Sequence, residues 1–200
     1  MATKFPSFRT NKVENFNYSG KIVYSAETSE INMWSKLILD DFGKLPIIDK
    51  VIGFDMEWPM NRKTAVVQLY SEMHGVFVFQ ILTLLPNVLL EIIRNNSIKK
   101  VGLNIANDIK KLEKDFDQNL DDAIINGLCD VGNLARKKFN NSERWSLSNL
   151  ILNLTGQILP KPSAIRCGNW NRFPLSGEQI KYAGLDSYAS FYAYSLLMKK

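Results

Sequence analysis

Cysteine and histidine are scarce in this chain of 200 residues: Cys129 and Cys167 lie far apart, and His74 is the single histidine. With no second Cys or paired His at ligand spacing, neither a disulfide framework nor a zinc module is encoded. Long apolar runs are missing too. No stretch approaches the roughly 20 residues needed to span a bilayer, and the first 19 residues are polar and rich in Asn and Lys. Phosphate loops of the GxxxxGK or GxGxxG kind are absent, which excludes an NTP-driven motor within this chain. No internal repeat and no low-complexity tract occurs. The expectation is a soluble, intracellular protein with no membrane partner. What is present is the composition of one globular domain, 46% hydrophobic and 22% charged. A net charge of +5 suits a phosphate-bearing partner without requiring one.

Residues 1–20 mix Thr, Asn, Lys and Pro with little apolar periodicity and read as a flexible N-terminal arm, leaving 21–200 as a single domain. A strand is expected over 21–25 and a helix over 29–41, with Trp34, Leu37 and Ile38 on one face. Strands follow over 51–57, 65–70 and 76–80, the last two joined by a turn at His74-Gly75. Helical spacing returns over 84–94, a short strand over 100–104, and a helix over 107–116. Leu147, Leu150, Ile151 and Leu154 form an apolar stripe that Gly156 can end, Pro160 and Pro162 mark a loop, and 176–199 is a long closing helix.

The stretch Val51-Ile52-Gly53-Phe54-Asp55-Met56-Glu57-Trp58 places two carboxylates in an otherwise apolar strand. Strand alternation puts Asp55 and Glu57 on one face, where two like charges demand a neutralising cation. A divalent metal meets that demand. The second acid-x-acid pair, Asp115 and Asp117, lies among Lys110, Lys111 and Lys114 and reads as a solvated surface cluster. Asp108 sits at the start of a helix, where the helix dipole alone can explain a carboxylate. Tyr182 and Asp186, four apart, share a face of the closing helix. Glu178, one turn earlier, reads as a surface or capping acid.

In order and type, FDMEW, Asp108 within NIANDIKKL, and YAGLD resemble the DEDD superfamily of 3'-to-5' exonucleases. Lys181 stands five before Asp186, where the histidine subclass carries its His, while Tyr182 stands four before, so the resemblance is to the tyrosine subclass. VIGFDMEWP, RWSLSNL, IRCGNW and FPLSGEQIKYAGLDSY are similar to the Werner-type branch, over roughly 51–195. The resemblance implies an α/β, RNase H-like fold with a mixed central β-sheet flanked by α-helices. It implies a metal-dependent 3'-to-5' DNA exonuclease that releases nucleoside 5'-monophosphates, acting in repair or replication, in the nucleus, and with a RecQ-type helicase in trans. The cofactors would be two divalent cations, Mg²⁺ or Mn²⁺, about 4 Å apart, which clamp the attacking and leaving oxygens of a phosphodiester. By the same resemblance Asp55 bridges both ions, Glu57 and Asp186 complete one site, Asp108 supports the other through water, and Tyr182 positions the attacking water. Asn104 before Asp108 and Ile109 after it depart from the family pattern around the second ion.

For substrate contacts, Trp145, Arg166 and Trp170 are the candidates, in a segment that also holds Arg144, Arg172 and Lys161. Bases stack on aromatic faces and cations meet phosphates, which suits single-stranded or recessed DNA 3' ends. Two other readings compete. One is trimming of RNA 3' ends on the same site, and the other is a non-catalytic nucleic-acid-binding module that recruits a helicase; the second has no need of four carboxylates beside phosphates.

Overall fold

The computed structural model describes residues 14–120 and 126–199. Its elements run β1 (Ile22–Ser25), α1 (Thr28–Gly43), β2 (Val51–Glu57), β3 (Val66–Ser71), β4 (Gly75–Gln80), α2 (Asn87–Arg94), β5 (Lys99–Gly102) and α3 (Ile105–Phe116). They continue with β6 (Leu128–Asp130), α4 (Val131–Phe139), α5 (Leu147–Thr155), α6 (Ser163–Arg166) and α7 (Gly177–Lys199). The described strands form one mixed sheet in the order β1-β4-β3-β2-β5-β6. β2, β3 and β4 pair antiparallel, through a loop over 58–65 and a short turn over 72–74, while β1–β4, β2–β5 and β5–β6 are parallel, with helices in the connections.

β2 is the central strand for function. Its alternation sends Phe54 and Met56 into a core shared with Ile38 of α1, Leu89 and Ile92 of α2, and Ile109 of α3. Gly53, Asp55 and Glu57 point to the opposite face, which α7 covers. Close approach of α7 depends on missing side chains. A Cβ on Gly53 would collide with the Ser187 carbonyl oxygen, and one on Gly184 would stand 2.7 Å from Val76 Cγ1. Ala183, Ser187, Ser190 and Ala193 are buried along α7 for the same reason. Two glycines, one in the strand and one in the helix, thus bring Asp186 down onto β2.

The strands and long helices lie close to where the pattern of the sequence puts them, with four differences. α2 starts at Asn87, after Pro86, rather than near Leu84, which is exposed. β6 and α4 have no counterpart among the expected elements. Arg166 ends a short helix, not an open loop. Residues 14–20 do not behave as a free arm: Asn15 bridges to Ile158, Phe16 N–H donates to the Ile158 carbonyl at 2.8 Å, and the buried Phe16 ring stacks on Tyr188 at 5.4 Å. Burying that ring outweighs the polarity of its neighbours in sequence. The remainder of the expected arm, 1–13, lies outside the described residues. Among the described residues no helix is long and apolar enough to cross a membrane.

Candidate active site

Ligand oxygens of Asp55, Glu57 and Asp186 all lie within 4.8 Å of one another. Asp55 and Glu57 come from one face of β2, and Asp186 reaches them from the buried side of α7, where it is 2% exposed. Few hydrogen bonds offset that crowding. The Asp55 carboxylate accepts the Met56 N–H at 2.9 Å. Burial, then the charge of Asp186, pushes the Asp55 carboxyl up to about 7. Burial, then Asp55 and Asp186, pushes Glu57 up to about 9. Asp186 is also raised by burial, against the pull of Lys161 and a hydrogen bond with Tyr182. Three acids that resist ionising together in the bare protein form a hard, all-oxygen donor set, and this fits Mg²⁺ or Mn²⁺.

Asp108 is not part of that compact set. It lies in the first turn of α3, buried, and burial followed by the charges of Asp55 and Asp130 raises it to about 8. Its placement begins at Asn104, which opens the helix in the left-handed region at φ 57°. Asn tolerates that conformation. The Asn104 N–H donates to Asp130 Oδ2 at 2.6 Å, and Asp130 Oδ1 caps α4 by accepting from Asn133 N–H at 2.7 Å. One carboxylate therefore orients two helix starts beside the site. Nothing in the sequence pattern marked Asp130, because β6 spans three residues.

Tyr182 lies one helical turn before Asp186, and burial with the three surrounding carboxylates pushes its hydroxyl well above the usual phenol range. It remains a neutral donor and acceptor at neutral pH. Glu178, one turn further back, is exposed. Lys161, between Pro160 and Pro162, forms an ion pair with Asp186 Oδ2 and stands 5.0 Å from the Tyr182 ring centre. Gln68 is another residue that the sequence pattern did not single out: it pairs with Asp55 across β2 and β3, is fully buried, and neither of its amide atoms has a partner among the described residues.

Of the expected strand contacts, the structure leaves Arg166 exposed, with its charge felt at Tyr182. The two tryptophans are placed otherwise. Trp170 is 0% exposed, packed with Val66, Leu175 and Tyr182, and its indole N–H donates to the Arg166 carbonyl at 3.1 Å. Trp145 is buried with Val131, Ala135 and Leu150 and meets Phe139 at 5.6 Å. Neither ring offers a face for a base to stack on, so both are corrected to core anchors. Asp115 is corrected as well. It is no solvated acid: its Oδ2 accepts from Thr64 N–H at 2.6 Å and Thr64 Oγ at 2.8 Å, and it pairs with Lys111 at 2.9 Å. This bracket pins the loop that leaves Glu57.

A family model described as 3'-5' exonuclease matches residues 36–200, which includes every carboxylate named above. The chain belongs to the 3'-5' exonuclease family. It is 36% identical over 188 residues to the bifunctional 3'-5' exonuclease/ATP-dependent helicase WRN of Mus musculus, an alignment that covers 90% of this chain and 13% of that protein. It is 30% identical over 206 residues to a 3'-5' exonuclease of Arabidopsis thaliana, covering 98% of this chain and 67% of the relative. The solved structure of Escherichia coli RNase D, an exoribonuclease involved in structured RNA processing, superposes with a TM-score of 0.71 at 17% identity, covering 90% of this chain and 45% of that one. The fold is RNase H-like, a mixed sheet flanked by helices, as the resemblance of the sequence implies.

Proposed function

We propose that this domain is a metal-dependent 3'-to-5' DNA exonuclease that removes nucleoside 5'-monophosphates from single-stranded or recessed 3' ends. The observation that carries this reading is the convergence of Asp55, Glu57 and Asp186 within 4.8 Å. Buried acids so close are stable as anions only with cations between them. Asp55, Glu57 and Asp186 would hold the divalent ions, with Asp108 supporting from α3. Bound there, such ions supply the positive charge that offsets the negative charge developing on a phosphodiester under attack.

The chain's own residues do the rest. The Tyr182 hydroxyl, kept neutral by its surroundings, holds the attacking water by hydrogen bonding and does not take its proton. Arg166, exposed at the end of α6, meets a backbone phosphate of the incoming strand and carries no base preference. With Trp145 and Trp170 buried, strand binding rests on charge more than on stacking. Nuclear repair or replication, and work alongside a RecQ-type helicase supplied in trans, are parts of the same proposal and rest on the resemblance of the sequence to the Werner-type branch, whose Mus musculus relative is an exonuclease and an ATP-dependent helicase in one protein.

Matched DNA and RNA oligonucleotides with 5' labels test it in Mg²⁺ and in Mn²⁺. A ladder that shortens from the 3' end, on DNA faster than on RNA and abolished by EDTA, is expected. Faster shortening of RNA would replace the DNA reading with RNA 3'-end trimming, and tight binding without shortening would leave a binding module.

A further inference from the structure

We infer that Lys161 is a tethered counter-cation of the carboxylate cluster, holding Asp186 in the metal-free protein and surrendering it when a divalent ion binds. This rests on the metal-dependent reading above and adds to it a built-in competitor for the metal.

Asp186 and Asp115 show why the Lys161 contact is exchangeable. Asp115 has partners from the Thr64 N–H and hydroxyl and from the Lys111 ammonium. Asp186 faces two further carboxylates, with Lys161 and Tyr182 set against them among the described residues. The Lys161 charge is also felt at Asp55 and at Glu57, so one ammonium serves three acids. A single positive charge cannot balance all three acids once they ionise. Two divalent ions can, and an ammonium in the same space would then be repelled.

Lys161 is built to leave without disturbing the fold. Flanking Pro160 and Pro162 restrict the local backbone, and Leu159 is buried just before them. The side chain itself is partly open to solvent, at 27% exposure, against 3% for Asp186. A four-carbon stem with a strongly hydrated tip can swing from the cluster to water or to a substrate phosphate while the Cα stays fixed. An ordinary buried ion pair has no such exit.

The test is a calorimetric titration of the full chain with MnCl₂ alone, at fixed pH and without nucleic acid, for the wild type, Lys161→Met and Lys161→Arg. Removing the competitor is expected to tighten Mn²⁺ binding by about 5- to 150-fold, the ordinary range for coupling between two binding events, whereas Lys161→Arg stays near the wild type. Without metal, Lys161→Met should melt lower than the wild type, and its rise with Mn²⁺ should be larger. Should Lys161→Met fail to fold, the Lys161 ammonium resonance of the wild type, followed by NMR during a Mg²⁺ titration, gives the answer directly: release from Asp186 shifts it and speeds its proton exchange. Unchanged or weaker Mn²⁺ affinity in Lys161→Met, or a Lys161 resonance indifferent to bound Mg²⁺, overturns the inference while leaving the metal site intact. A wild type that takes up no Mn²⁺ overturns the metal-dependent reading itself.

Discussion

Asp55 and Asp115 each begin an acid-x-acid pair, and the protein treats the two in opposite ways. Around Asp115, Thr64 offers an N–H and a hydroxyl and Lys111 an ammonium, and these overcome burial to hold its carboxyl below the usual range. Around Asp55 the nearest charges are mostly other carboxylates, and burial drives its carboxyl up. The first arrangement stabilises the fold. The second costs stability and is left to be relieved from outside, as in sites organised for binding an ion. Residue type and spacing are alike; the partners supplied by other elements decide the role.

The sharpest way to break this contrast is Asp55→Asn. Single-turnover cleavage should fall by about 10³-fold or more, since several kcal/mol of charge stabilisation in the transition state depend on the ions. Its metal-free stability should equal or exceed that of the wild type, because a neutral amide replaces one member of a buried cluster whose acids disfavour one another's ionisation. Denaturation without metal checks the second half, and a clear loss would make Asp55 a structural residue like Asp115.

Tyr182→Phe comes next. It keeps the ring against Trp170 and removes only the hydroxyl. Turnover should drop by about 10²- to 10⁴-fold with Mn²⁺ affinity unchanged, as measured by single-turnover kinetics beside a metal titration. Full activity in the Phe variant would remove Tyr182 from the chemistry.

Asp115→Ala has the smaller, opposite signature. Leaving the Thr64 N–H without its partner should cost about 1 to 3 kcal/mol in urea denaturation, while Mn²⁺ affinity persists. The pH profile of the metal-free protein separates the two acidic pairs by the sign of the effect. Folding raises Asp55 to about 7, Asp108 to about 8 and Glu57 to about 9, so the native state binds protons that the unfolded chain has already released above about pH 4. Stability from these groups is therefore whole below about pH 4 and is lost as pH rises toward 9. Asp115 works in the other sense, its contribution present at neutral pH and lost on acidification. Thermal melts of the metal-free protein at pH 5, 7 and 9 should show the decline, with a shallower one in Asp55→Asn.

Much of this was legible in the chain itself. Alternation along 51–57 reveals both the strand and the shared face of Asp55 and Glu57, and the four-residue step from Tyr182 to Asp186 needs only a helix. Local pattern fails where long-range packing decides. Trp145 and Trp170 sit among arginines in sequence, which suggests strand binding, but their partners come from α4, α5, β3 and α7. Phe16 lies in a polar segment and is captured by Tyr188. β6 is too short to show alternation, so the helix start that Asp130 caps was hidden along with it. Lys161 carries no motif, and only the descent of α7 onto Gly53 brings Asp186 within its reach.

The account stands most directly on the change in melting temperature with Mn²⁺, measured side by side for the wild type, Asp55→Asn and Asp115→Ala. The prediction is a clear rise for the wild type, little or none for Asp55→Asn, and a rise for Asp115→Ala as large as that of the wild type from a lower starting point. An Asp55→Asn protein that keeps the full rise, or an Asp115→Ala protein that loses it, would contradict the assignment of the two acidic pairs.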